Sequence, residues 1–506
     1  MLSSLRLSPH IIEDDGINLI DAGIRELGVP IGSPLFVHDF IENKKGKICN
    51  ILHLVSQMCF WEESNINVDH SSPHRLYNSS FYSSAGKQVA VQMFRYIFNS
   101  RFSFLFRTCT PTEMISACTD IANEFQKVFV QTFHLPPLSP AQWHQVFSPF
   151  EFGGLGFVPL HATSVNAFSS SAISFIQHNS HTILPPFAFS SFLSSKSPLA
   201  SSFLSAQSLA DEVIAAASSS SSSAQLTRDS VRQLHFAEFS SRRSNSSFLE
   251  TVTDPVEKHR LLSLSNSSAI AFLHAIPSSP ELTCPSPVFP IVLANLLGLP
   301  FPRRLPRFCL CGSEIDAAGL HFQLCRQRAP QTAHNKICNE ISVLARQGGA
   351  TVHGPAQISH LDENDNKVAD FRVESASPSC IDTIVDVQIR NTLAPSSFSS
   401  ASRKPLPILD YAAKAKSEKH AASAASIHCS FTPFILDRFG NLGSEAKVLF
   451  DHLIALIPPD TFEAPNWAAN SISAYWHQRF SVSLWSSLAR ESLILSVRAS
   501  NAAASS

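Results

Sequence analysis

Ile381-Asp-Thr-Ile-Val-Asp-Val-Gln-Ile389 is dense in β-branched residues, and its stretch Ile384-Val-Asp-Val387 sets a single carboxylate, Asp386, among apolar neighbours. Such density of Val, Ile and Thr reads as a strand. A carboxylate inside a strand is costly unless it is paired or bound to a cation. The same pattern stands just upstream in Val368-Ala-Asp-Phe-Arg-Val373, which sets Asp370 among apolar neighbours. A shorter strand is expected at Ala350-Thr-Val-His353. Before it, Ile337, Ile341 and Leu344 recur at helical spacing and predict a helix over 335–347. Downstream, the pattern predicts a helix over about 408–427, a strand and turn over 431–440, and a helix over 444–457. Residues 335–475 therefore read as an α/β module, followed by a C-terminal helix and tail over 476–506.

Two carboxylates on neighbouring strands can hold Mg²⁺ or Mn²⁺, hard ions that take one or two carboxylates with water and substrate phosphate. That is the requirement of metal-assisted phosphodiester cleavage. The alternative is two acids at strand ends, salt-bridged or solvated. On the 408–427 helix, Lys416, Lys419 and His420 share a face with Ala412, while Lys414 points away. A lysine aimed at the carboxylates can stabilise charge on a phosphate. Glu340, at the edge of the apolar face of its helix, is a candidate third carboxylate.

Upstream, Cys309-Leu-Cys311 is followed after nine residues by His321 and after three more by Cys325. Zinc takes four such ligands in a tetrahedron, usually from two close pairs. The alternative is three buried cysteines and a solvent-facing histidine. Arg303, Arg304, Arg307, Arg326, Arg328, Lys336 and Arg346 crowd the motif, against Glu314, Asp316 and Glu340. That local surplus suits phosphate contacts. Cys338, Cys380, Cys429, His353 and His428 read as packing or surface residues.

The chain has 506 residues, 44% of them hydrophobic, which at ~150 residues per domain suggests about three domains. Its net charge of -2 excludes a chain basic throughout but not local nucleic-acid binding. Eleven cysteines are too sparse for a disulfide scaffold and suit a reducing compartment. No apolar run is long enough for a membrane-spanning helix. The start, MLSSLRLSPHIIEDDG, has no secretory apolar stretch. Residues 1–150 read as helical after a turn at Gly28-Val-Pro-Ile-Gly32, and 151–300 as a helical connector. A Ser-rich linker is expected near 216–224, a helical segment over about 225–275, a tight turn at Gly153-Gly-Leu-Gly156 and a zinc knuckle over 301–334. The fold class is α+β and multidomain: a mainly helical N-terminal two-thirds, the knuckle, and the α/β module.

These pieces, in this order, resemble the C-terminal part of a non-LTR retrotransposon polyprotein that carries a restriction-enzyme-like endonuclease after its reverse transcriptase. Gly23-Ile-Arg-Glu-Leu-Gly-Val-Pro-Ile-Gly32 resembles the stretch after the polymerase catalytic loop, and the helices to about 135 resemble the thumb. Phe308-Cys-Leu-Cys-Gly312, Asp316, Gly319, His321 and Cys325 resemble the zinc knuckle, with His334-Asn following as in that family. In the nuclease, Asp370 matches the first acid, with Ala369 in place of proline, and Asp386 matches the second. Gln388 stands where many restriction enzymes carry lysine. Lys416 matches a lysine moved to the helix, with His420 in place of tyrosine. The segment 391–407 resembles an enlarged loop before that helix. Asp14-Asp15 resembles the end of a polymerase motif, but the palm is missing.

The resemblance implies a DNA-nicking endonuclease without polymerase activity of its own. Catalysis would fall to Asp370, Asp386 and Lys416, catalytic Mg²⁺ or Mn²⁺ to Asp370 and Asp386, and structural Zn²⁺ to Cys309, Cys311, His321 and Cys325. DNA and element RNA are the implied partners, and the nucleus the implied location, with the cytoplasm as the alternative. The second functional reading is a nucleic-acid-binding remnant whose nuclease has decayed.

Overall fold

The computed structural model describes residues 24–26, 29–65, 85–179, 186–195, 197–219, 226–325, 332–357, 368–374, 382–394, 405–459 and 469–505. It is mostly helical with one small mixed four-stranded sheet, an α+β chain. Asp14-Asp15, Arg326, Arg328, Cys380, most of the serine run and residues 395–404 of the expected enlarged loop lie outside the described residues.

Two compact units are built from interleaved segments. One draws on 1–57, 93–129 and 157–248, the other on 58–92, 130–156 and 249–506. The expected segments 1–150 and 151–300 each contribute to both. Aromatic burial shows why: in the first unit, Phe125 packs against Phe98 at 4.6 Å and against Phe157 at 4.8 Å, so a residue past 150 completes a core begun before it. The expected helical segment 225–275 is divided into Gln233–Thr251 and Pro255–Leu264. Pro255 cannot continue a helix from upstream but fits its first turn. Asp254 caps that turn by accepting the Val256 N–H at 3.0 Å.

In the second unit, Gly153-Gly-Leu-Gly156 is the tight turn expected. Gly153 and Gly156 have φ of +74° and +72°. A Cβ on Gly154 would fall 2.0 Å from the Ser148 carbonyl oxygen. The apolar run near 290 forms a short buried helix, Phe289–Leu297, ended by Gly298 in the left-handed conformation. Among the described residues no helix is long and apolar enough to cross a membrane.

The C-terminal module begins with helix α1 (Thr332–Gln347). Strands β1 (Thr351–His353), β2 (Ala356–Gln357), β3 (Val368–Ala369), β4 (Phe371–Glu374) and β5 (Thr383–Arg390) follow. Helix α2 (Pro405–Ser426) then leads to β6 (Ser430–Asp437), α3 (Ser444–Ala455) and α4 (Ile472–Ser505). The sheet order is β1-β4-β5-β6. The first two pairings are antiparallel, whereas β5 and β6 run parallel from Thr383↔Ser430 to Arg390↔Asp437. A parallel pair needs a crossover, and α2 supplies it.

Side-chain alternation clads both faces of this sheet. Phe371, Val373, Val385, Val387, Phe434 and Leu436 join one core with Ile337, Ile341 and Leu344 of α1 and Leu449, Phe450 and Leu453 of α3. Ile384 and Ile435 point the other way, under α2 residues Ala424, Leu409, Ala412 and Ala413. The strand expected over 368–373 is broken at Asp370, because its side chain, not a backbone carbonyl, takes the Val387 N–H at 2.7 Å.

The expected boundary at 475/476 has no counterpart in the packing. Trp476, Phe480, Leu484 and Leu488 of α4 belong to the same core as the sheet. Burying each such side chain contributes about 1.5–3 kcal/mol. Glu491 of α4 also accepts the Ala333 N–H at the start of α1, at 2.7 Å. Glu340 belongs to this helix–helix seam and not to a metal site. Its fully buried carboxylate accepts from Arg479 Nε at 2.6 Å and Ser483 Oγ at 3.1 Å, and pairs with Lys336 at 2.7 Å.

Arg479→Ala leaves that carboxylate under-compensated and is expected to cost about 3–5 kcal/mol. Urea unfolding of the full chain should show the loss. The double variant Glu340→Leu/Arg479→Met should recover most of it. Equal destabilisation by the single and double variants would show that the pair does not hold the seam.

Candidate functional site

The knuckle forms from two short turns. Phe308 bridges to Glu314, the Cys309 N–H donates to Ser313 O at 2.9 Å, and the Gly312 N–H donates to Cys309 O at 2.8 Å. This closes a tight loop that Gly312 permits with φ of +81°. The second pair sits on a one-turn helix, His321–Leu324, with Cys325 at its end. Asp316 fixes the start of that turn, accepting the N–H groups of Leu320 at 3.0 Å and His321 at 2.7 Å. Phe322, fully buried, stands edge-on to Phe301 beneath the turn.

The ligand atoms converge. Cys309 Sγ lies 3.5 Å from Cys325 Sγ, and Cys311 Sγ lies 3.3 Å from His321 Nε2. All four lie within 4.8 Å of one another. Zinc–sulfur bonds of about 2.3 Å and zinc–nitrogen bonds of about 2.0 Å give tetrahedral edges of about 3.5–3.8 Å. The four residues read from the sequence thus form a cluster that fits a zinc ion. Hydrogen bonds from the Ser313 side chain and then its backbone push the Cys311 thiol down to about 6, favouring the thiolate that binds metal. Arg303, Arg304 and Arg307 are exposed nearby, with Arg307 5.1 Å from the ring centre of half-exposed Phe308.

The second centre lies on the sheet. Alternation sends Asp386, between Val385 and Val387, to the face that α2 covers. On α2, Leu409, Ala412 and Ala413 are buried against that face. Lys416 follows Leu409 by seven residues and therefore shares its stripe. Its ammonium pairs with Asp386 Oδ2, both side chains being partly buried. Lys414 points elsewhere and pairs with Glu418. His420 continues the buried stripe and packs 5.4 Å from the Phe431 ring.

The β4–β5 register pairs Phe371 with Val385; carried one step further, it sets Asp370 opposite Asp386. Besides the Val387 N–H, Asp370 Oδ2 meets His334 Nε2 at 3.2 Å, and the same nitrogen lies 3.1 Å from Val387 O. Cys338, one turn along α1, places its Sγ 3.7 Å from His334 Nδ1. The bonds to Asp370 and then Cys338 raise His334 to about 11. Burial works against the Asp370 charge, but His334, the Val387 N–H and Lys416 more than offset it and hold the carboxyl below its ordinary value. Burial raises the Cys338 thiol despite the His334 hydrogen bond.

Lys416 thus reaches Asp386, and the register sets Asp370 opposite that residue, near enough for the Lys416 charge to help hold its carboxyl low. Sequence reasoning gave His334 no chemical role and read Cys338 as packing. The signal for both was present: His334 and Cys338 repeat the three-residue spacing of His321 and Cys325. Of the other residues read as packing or surface, Cys429 is buried beside Ile384, and His353 pairs with Glu374 at 3.0 Å. No family model matches the sequence, and no curated protein matches it.

Cys309→Ser is expected to lower bound zinc by one ion per chain, counted by mass spectrometry of the metal. Limited proteolysis should then cut within 301–325 faster than in the parent. An unchanged zinc count would show that the cluster is not a zinc site.

Proposed function

We propose that this is a retroelement-derived nucleic-acid-binding protein whose C-terminal module nicks DNA with Mg²⁺ or Mn²⁺. The observation that carries the proposal is the pairing of Lys416, on the crossover helix, with Asp386 on β5, opposite the strand break that carries Asp370. Three further features support it. The module's order of helix, strands, crossover helix and strand is the order expected of a restriction-endonuclease-like domain. The residue pattern of knuckle and module resembles that of non-LTR retrotransposon proteins with such a nuclease. Exposed arginines with Phe308 beside the knuckle offer charge and a stacking ring to nucleic acid. The proposed partners are DNA and the element's own RNA, and the proposed location is the nucleus.

The donor set fits a hard divalent ion. Asp370 and Asp386 both offer carboxylate oxygens, the donors Mg²⁺ prefers. Both carboxylate side chains are partly exposed, at 24% for Asp370 and 17% for Asp386. Asp370 and Asp386 would hold the ion, which would supply charge neutralisation at the scissile phosphate. His334 and the Val387 N–H fix the Asp370 carboxylate. Lys416 fixes that of Asp386 and presents its ammonium to the phosphate, where it stabilises the negative charge that builds up during attack.

Asp386→Asn should abolish metal-dependent nicking of supercoiled plasmid, and Lys416→Ala should slow it by about 10²–10³-fold. Both variants should keep the helical circular dichroism of the parent. Nicking by Asp386→Asn at the parental rate would overturn the proposal. A folded, zinc-loaded parent that binds DNA without nicking it would identify a binding remnant.

A further inference from the structure

The repeated spacing of His334 and Cys338 has a geometric counterpart. In the knuckle, a histidine and a cysteine four positions apart supply half of a zinc tetrahedron. On α1 the same pair lies on one helix face, since residues four apart are neighbours there. His334 Nε2 stands 3.2 Å from Asp370 Oδ2, and Cys338 Sγ stands 3.7 Å and 3.9 Å from the two ring nitrogens of His334. One ligand atom from each of the three residues lies within 4.8 Å of the others. Bond lengths of about 2.0 Å to nitrogen or oxygen and 2.3 Å to sulfur give tetrahedral edges of about 3.3–3.5 Å for this one-sulfur set. The His334–Asp370 separation already matches such an edge, and Cys338 Sγ stands a few tenths of an ångström beyond it from the imidazole.

We propose that His334, Cys338 and Asp370 form a second metal site, separate from the knuckle, that takes a borderline-soft divalent cation of the zinc type. The donor set argues for this class. A thiolate and an imidazole favour zinc or cobalt over Mg²⁺, which prefers oxygen. Three protein ligands leave a fourth position open to water or a ligand, in contrast to the closed four-residue knuckle. All three side chains are only partly buried, so an ion can reach them. Histidine and cysteine bind metal in their deprotonated forms, so binding at this site is favoured as the pH rises. The site shares Asp370 with the proposed nuclease centre, so the two ions compete for one carboxylate. The metal site itself stands whether or not that centre cleaves DNA.

The test uses the full chain, stripped of metal under reducing conditions and reloaded with Co²⁺. The expected result is two ions per chain with thiolate-to-cobalt absorption. Cys338→Ser and His334→Gln should each remove one ion and leave the knuckle's contribution, whereas Cys311→Ser should remove the other. An ion count unchanged by both the Cys338 and the His334 substitutions overturns the proposal. Alkylation of the parent protein gives a readout that needs no variant. Zinc should protect Cys338 from iodoacetamide, read by peptide mass spectrometry, and a chelator should release it. Equal alkylation with and without zinc overturns the proposal.

Discussion

Strand β5 is buried on both faces, and its one interior carboxylate therefore has to be neutralised within the fold. Its odd-numbered residues Val385 and Val387 enter the core shared with α1, α3 and α4, while Ile384 packs under α2. Asp386 lies in that alternation on the α2 side. A charge there is tolerated only with a partner close by. Lys416, carried on the same stripe as Leu409, meets that need. The crossover that makes β5 and β6 parallel is thus also the element that delivers the cation to the carboxylate.

The same logic governs the other side of the sheet. Helix α1 is held by its apolar stripe against the strands and by the buried Glu340–Arg479 pair against α4. With α1 fixed, His334 and Cys338 near its start are brought to the broken strand at Asp370. The break matters chemically. An unbroken strand would spend the Val387 N–H on a backbone carbonyl, whereas here that donor and an imidazole converge on a carboxylate. The knuckle solves a related problem on a smaller scale. Its backbone turns, the Asp316 cap and Phe322 position four ligand atoms with little apolar core of its own.

Residue patterning had fixed much of this in advance. The strands around Asp370 and Asp386, the crossover helix and the four-residue Cys/His cluster were readable because each depends on short-range spacing: period two in a strand, about 3.6 in a helix, close pairs for zinc; spacing put Lys416, Lys419 and His420 on one face, and only the resemblance singled out Lys416. What was misread depends on long-range contacts. Glu340 looked available for metal, since nothing local identifies Arg479, 139 residues away, as its partner. The two units interleave because their cores recruit aromatic residues irrespective of chain order, which a linear pass along the sequence cannot see.

Residue spacing alone set the element types of the C-terminal module, the four-residue Cys/His group that fits a zinc ion and the carboxylates that a strand interior makes costly. Only the tertiary structure decided that α4 completes the module's core, that Asp370 interrupts its strand, and that His334 and Cys338 stand beside it. The physical reason is one of distance along the chain. Local periodicity records which face of an element is apolar, but the partner of a buried charge and the neighbours of a half-buried thiol are chosen by packing between segments far apart in sequence.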